Sequence, residues 1–318
     1  MCLVIYFKTV FGRCKPVYDD IFVGCGYERY SLMSRTLSII VPAYNESSRL
    51  GDSLEKIFRH LETHYPGSEV IVVDDGSTDD TVRVAEESFE GKLGTAAYVI
   101  RVKPNRGKGH AVRQGLLAAK SSIALFTDSD LSTPIEETSK LVDAIESGEA
   151  DIAFGSRALD RSLIGVHQSW RREQGGRFFN LVVRLATGMP YWDTQCGFKA
   201  FNMTTFRPIC EASRIDRFGF DVELLYVSYL AGLRLKETPV RWDHNEGSKL
   251  NVLSDTFKAF DEIRSIRKHV KNGSYDGAMR LAKKSLEHLK SQRKDVEAGE
   301  LENAAFSRDE LVTVDQHD

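Results

Sequence analysis

From Leu37 onward, short apolar runs rich in β-branched residues alternate with segments whose apolar positions recur at helical spacing. The runs are LSIIVPAY at 37–44, EVIVVDD at 69–75, AAYVIRV at 96–102, IALFTDSD at 123–130 and DIAFGSR at 151–157. They are continuously apolar rather than alternating, the pattern of strands covered on both sides. Between the first two, Leu50, Leu54, Ile57, Phe58 and Leu61 share one helical face. Further helices are predicted over 78–89, 107–119 and 134–145, the last with Pro134 in its first turn. Strand and helix in repeated alternation predict an α/β fold, a mostly parallel sheet flanked by helices on both faces.

After Arg157 the rhythm breaks. Helices are predicted at 171–187, 221–231 and 252–270, with strand segments within 193–201 and 235–242. Residues 1–35 show no sustained period and read as an N-terminal arm. Residues 271–318 form a charge-rich tail that begins as a helix, with Ala278, Leu281, Leu286 and Leu289 on one face, and then loses order. The organisation expected is an arm, one domain over 36–270 with halves at 36–157 and 158–270, and the tail. No internal repeat is present.

Composition narrows the function classes. In 318 residues, 43 basic and 46 acidic side chains leave a net charge of −3, so there is no global basic field for nucleic acid. Any anionic partner must meet a local cluster. The 5 cysteines are widely spaced without a CxxC pair, which speaks against a zinc site or a disulfide framework and for a reducing compartment. The apolar opening run ends at Lys8, too short for a membrane span, and it lacks the flanks of a signal peptide. The expectation is a cytoplasmic protein, peripheral on the cytosolic membrane face, without a transmembrane helix.

In open α/β sheets ligands bind beyond the carboxyl ends of the strands. Polar clusters follow all five apolar runs: 42–46, 74–79, 105–110, 128–130 and 156–157. One such coincidence would mean little; five in chain order point to one site. Asp128 and Asp130, one residue apart at a strand end, suit a hard divalent cation such as Mg²⁺ or Mn²⁺ that shares its sphere with a diphosphate. A capped loop before Pro134 is the plainer reading of the same residues. Asp74 and Asp75 end a buried strand and suit a base edge or ribose hydroxyls, although Asp-Gly is also turn chemistry and Ser77 or Thr78 suits a helix cap. The segment 105–110 lacks GxxxxGK[ST] and GxGxxG, and places Lys108 near a nucleotide or in a solvated loop. Cys196 reads as a small core residue.

Together LSIIVPAYNE, VIVVDDGSTDDT, NRGKGHAVRQG and FTDSDLSTP resemble the nucleotide-binding half of family 2 glycosyltransferases of the GT-A fold. DTQCGFKAF at 193–201, FGFDVELLY at 218–226 and EGSKL at 246–250 resemble the dolichyl-phosphate glucosyltransferases more than the mannose synthases. The resemblance covers roughly 36–265. It implies an inverting, metal-dependent transfer of glucose from UDP-glucose to a dolichyl or polyprenyl phosphate. Carried over, Pro42, Tyr44, Glu46 and Asp75 line the nucleotide, with Asp75 on the uracil. Asp128 and Asp130 hold the metal and donor diphosphate, with Ser132 where mannose synthases carry a Gln ligand. Arg157, Arg171 or Arg172, and Lys249 receive the lipid phosphate or the leaving diphosphate.

Asp193 and Asp221 are the acids best placed for a sugar hydroxyl or a base role, with a helix cap or salt bridge as the plainer reading of each. The glucosyltransferases resembled carry an N-terminal membrane helix that this sequence lacks. The arm at 1–30, with its apolar residues among Lys8, Arg13 and Lys15, is expected either to lie on the bilayer or to pack as an ordinary arm. A GDP-mannose donor, and a soluble or polysaccharide acceptor, remain the alternatives. A non-catalytic sugar-nucleotide module is disfavoured because both carboxylates of the DxD are present.

Overall fold

The computed structural model describes residues 35–92, 94–166, 170–243 and 252–312, with backbone alone at 170–173, 252–259 and 296–312. The arm, including its expected bilayer contact, and Lys249 lie outside these residues, as do the side chains of Arg171 and Arg172. The strands are β1 (Leu37–Ala43), β2 (Glu69–Asp74), β3 (Ala96–Arg101), β4 (Ile123–Thr127), β5 (Ile152–Ser156), β6 (Ile164–Val166), β7 (Phe198–Asn202), β8 (Leu235–Pro239) and β9 (Trp242–Asp243). Seven of them form one sheet in the order β3-β2-β1-β4-β7-β5-β8, and β6 pairs with β9 beside it. All pairings are parallel except those of β7, which runs against both β4 and β5. The expected α/β class and mostly parallel sheet are therefore present.

The helices are α1 (Leu50–His64), α2 (Thr81–Phe89), α3 (Lys108–Ala118), α4 (Thr138–Glu146), α5 (Trp170–Thr187), α6 (Met203–Ala212), α7 (Phe220–Leu230), α8 (Val252–Lys271) and α9 (Asp276–Val312). Alternate residues of one strand feed opposite cores, as the two-residue strand period requires. Ile40 joins Ile71, Phe126, Phe154 and Phe201 beneath α3, α6 and α7. Ile39 and Val41 join Leu125 and Phe198 beneath α1 and α4. Gly115 of α3 lies so close to Ile40 and Val73 that no side chain fits between helix and sheet.

Three expectations are corrected. Pro134 does not open a helix; its ψ of 142° is extended, and a 3-10 turn (Ile135–Glu137) intervenes before α4. Neither Ser77 nor Thr78 caps α2, which starts at Thr81; their hydroxyls turn to the loop after β1 instead, Ser77 Oγ accepting from Asn45 N–H and Thr78 Oγ1 donating to Asn45 Oδ1. After a turn at 272–275 the tail is helical over Asp276–Val312, and Tyr275, Ala282 and Leu286 enter the main core while Leu281 faces solvent. α6 is an element the sequence did not announce. Pro208 and the β-branched Thr204 and Thr205 weaken its helical signature, whereas the Asn202 side chain caps its first turn.

Because the Gly115 contact is backbone against a packed core, Gly115→Ala should destabilise by about 1–3 kcal/mol despite alanine's higher helix propensity. Urea unfolding midpoints of the two proteins check this; equal or higher stability in the variant would contradict it.

Candidate functional site

At the carboxyl ends of β1, β2 and β4, a cavity of about 380 Å³ is lined by Pro42, Tyr44, Glu46, Asp75, Lys108, Asp128 and Asp130, together with Arg49 and Arg217. The loops that form it are stitched to one another. Asn45, in the left-handed region at φ 54°, donates its N–H to Ser77 Oγ at 2.8 Å, and Glu46 N–H reaches Thr81 Oγ1 at 2.7 Å. Asp79 accepts from Ser47 and Thr81; burial opposes the charge, yet those hydrogen bonds bring its carboxyl down to about 2. Asp75 is buried and accepts from the backbone of Arg106 at 3.0 Å and of Gly107 at 2.7 Å, so it also clamps the loop that starts α3.

The turn after β4 is held in an unusual backbone state. Leu131, with φ 47°, donates its N–H to the Asp128 carbonyl at 3.1 Å, and its side chain is buried in the α1/α4 core. That anchoring keeps a residue with a bulky side chain in a region glycine prefers. Asp130 Oδ1 accepts from Ser132 N–H at 2.9 Å, while Oδ2 lies 3.7 Å from Arg49. Asp128 Oδ1 lies 2.5 Å from Lys108 Nζ. Burial alone would lower the Lys108 pKa, but Asp128 and then Asp221 reverse this and raise it. Gly197 lies against the Asp128 carboxylate, and a Cβ there would collide with it.

A second cavity of about 520 Å³ is lined by Arg157, Arg161, Arg177, Arg184, Trp192 and Asp193 among others, and the loop from Asp193 leads to Gly197 against Asp128 of the first. Arg157 and Asp193 make a forked pair at 2.7 and 2.9 Å, and Asp193 also accepts the Arg157 backbone N–H at 3.0 Å. Burial would neutralise each partner. Their mutual attraction outweighs it, holding Asp193 below the usual carboxylate range and Arg157 above its own. Glu237 on β8 fixes the geometry from behind. It accepts from Ser156 Oγ and Asp193 N–H, each at 2.7 Å, and from Trp192 N–H at 2.9 Å. The Arg184 guanidinium lies 3.7 Å from the Trp192 ring centre.

Asp221 lines neither cavity. It is buried in the first turn of α7, 2.5 Å from the Nζ of Lys199, which also donates to the Cys196 carbonyl. Burial pulls the Asp221 carboxyl upward, and Lys199 opposes this only in part. Cys196 is a core thiol, pushed up to about 11 by burial and by Asp193.

Every expected nucleotide and metal residue thus lies on one cavity wall, with Arg157 and Asp193 on the next. Neither acid considered for a base role is free: Asp193 is committed to Arg157, and Asp221 to Lys199. Arg49, Lys199 and Glu237 were not singled out in the sequence. Arg49 carries a local signal, three residues after Glu46, with which it pairs. The other two act across the fold, where no sequence spacing points to them.

Residues 38–208 match the family described as Glycosyl transferase family 2. The dolichyl-phosphate beta-glucosyltransferase of Drosophila melanogaster is 40% identical over 228 residues, 68% of this chain and 70% of the relative. That of Dictyostelium discoideum is 34% identical over 271 residues, 79% and 82% of the two chains. Among solved structures, glucosyl-3-phosphoglycerate synthase of Mycobacterium tuberculosis, in complex with Mn²⁺, UDP and glucosyl-3-phosphoglycerate, aligns with a TM-score of 0.56 at 21% identity. That alignment covers 73% of this chain and 80% of the other, a likeness of fold. The sheet is that of the GT-A fold, and the chain belongs to glycosyl transferase family 2.

Proposed function

We propose that the chain transfers glucose, with inversion, from UDP-glucose to the phosphate of a dolichyl or polyprenyl phosphate. The observation that carries this reading is a pair of cavities linked by the 193–197 loop, one bearing Asp75, Asp128 and Asp130 and the other walled by arginines. The named relatives, dolichyl-phosphate beta-glucosyltransferases of several organisms, support the sugar and the acceptor.

The donor set fits a divalent cation of the Mg²⁺ or Mn²⁺ kind. Asp128 and Asp130 offer hard oxygen ligands on the cavity wall, and among the described residues no group of three or more His, Cys, Asp or Glu forms a complete cage. Such a site is completed by phosphate and water oxygens, which is how Mg²⁺ is usually held. A cation bound there supplies charge neutralisation for the departing diphosphate. Pro42, Tyr44, Glu46 and Asp75 are assigned to the nucleotide, with Lys108 near its phosphates.

Arg157, fixed by Asp193 and Glu237, is assigned to the acceptor phosphate, with Arg171, Arg172 and Lys249 as further cationic candidates. A phosphate monoester is already anionic near neutral pH and has little need of a general base; positioning beside the donor carbon is the larger requirement. Asp193 is therefore read as a positioning residue. Asp221, paired with the fully buried Lys199 outside both cavity linings, is read as a structural partner of that lysine. No helix among the described residues is long and apolar enough to cross a membrane.

Radiolabelled UDP-glucose with dolichyl phosphate and Mn²⁺ should give a product that partitions into organic solvent. GDP-mannose should give none; the reverse preference would replace the donor assignment. Asp130→Ala should lower turnover on the order of a thousandfold, the scale of losing one strong electrostatic stabiliser, while circular dichroism stays unchanged. Metal-dependent turnover at the wild-type level would contradict the site.

Asp193→Asn should reduce kcat/KM for the acceptor while leaving the position of the acid limb of the pH profile unaltered. A carboxylate held below its normal pKa keeps its charge down to pH values lower than about 4, so an acid limb near pH 6 belongs to the second ionisation of a phosphate. Loss of that limb in the variant would instead make Asp193 a base.

A further inference from the structure

The outer side of α5 is apolar where a soluble surface would be polar. Phe178, Leu181 and Leu185 are 59%, 49% and 78% exposed, and their spacing places them on one helical stripe. Trp192, 55% exposed, stands on the rim of the arginine-lined cavity, which Leu181 also borders. On the other flank of α5, Val182 and Ala186 line a groove of about 680 Å³ against α8, bordered by Arg264, Arg267, Lys268 and Lys271. Cations therefore run along both flanks, with Arg161, Arg177 and Arg184 on the near side. Among the described residues, the only acid in either lining is Asp193, which is held by Arg157.

We propose that this face of α5 seats the protein on an anionic bilayer, with the Phe178–Leu185 stripe in the acyl boundary and the flanking cations at the head groups. An apolar stripe between basic rows is the composition that partitions into a membrane interface, and a soluble partner protein would not call for cations on both flanks. The arginine-lined cavity opens beside the stripe, so a lipid phosphate enters it from the bilayer while its chain stays in lipid. This rests on the acceptor reading above and adds the surface that delivers the acceptor.

The test uses the full chain and the double variant Phe178→Glu/Leu185→Glu, both residues outside the cavity lining. The wild type should float with vesicles of phosphatidylcholine and phosphatidylserine. The variant should bind them on the order of tenfold more weakly or worse, the factor that about 1.4 kcal/mol carries, with its melting temperature and UDP-glucose-induced stabilisation unchanged. Transfer to dolichyl phosphate in those vesicles should fall with binding, whereas transfer to a short, water-soluble prenyl phosphate should persist. Equal vesicle binding by the two proteins, no binding by the wild type, or loss of soluble-acceptor transfer in the variant would each overturn the surface. If the wild type glucosylates no prenyl phosphate yet the variant still loses the vesicles, the surface stands and the acceptor assignment falls.

Discussion

Like charges gathered at the edge of one sheet repel, and this fold answers that repulsion with a cation beside four of the acids placed there. Lys108 sits against Asp128, Arg49 near Asp130, Arg157 on Asp193 and Lys199 on Asp221. Interactions of this kind are several times stronger at a protein surface than in bulk water, so the order of charges fixes the shape of the site. Remove one cation and its acid is left uncompensated beside another. The electrostatics of the candidate site and its local stability are consequently the same set of contacts.

The nucleotide half was legible because a parallel sheet brings strand ends to one rim, and chain order then reads directly as site order. The five polar clusters after five apolar runs needed no long-range information. The second half depends on pairs that sequence spacing does not signal: Glu237 meets Asp193 across 44 residues, and Lys199 meets Asp221 across 22. Asp193 and Asp221 were visible as acids in useful places, but their commitment to cations was not. Strand period is the same in either direction, so nothing in FKAFN announced that β7 runs backwards. The face of α9 was misread for a related reason, since its partner α6 was itself hidden by Pro208.

Preorganisation is visible in the backbone of the two loops that carry the nucleotide and metal candidates. Asn45 and Leu131 both occupy the left-handed region, at a cost of about 1–2 kcal/mol each. Ser77 and Thr78 hold the first, and burial of a leucine side chain holds the second. Tertiary packing thus sets the aim of Asp128 and Asp130 before any ligand arrives, which is what electrostatic stabilisation without reorganisation requires.

The reversed strand has a consequence for how such a site diversifies. Because Phe198 of β7 lies opposite Thr127 of β4, the segment leading into β7 emerges at the rim where its neighbours finish. Segment 188–197 thereby runs from the end of α5 to a rigid ladder, held midway by Glu237 and Arg157. Insertions or deletions along it would shift the carboxylate that steers Arg157 while the Asp128 side of the sheet stood still. Under the proposed roles, acceptor choice could then drift between descendants of one ancestor without disturbing how the activated sugar is held.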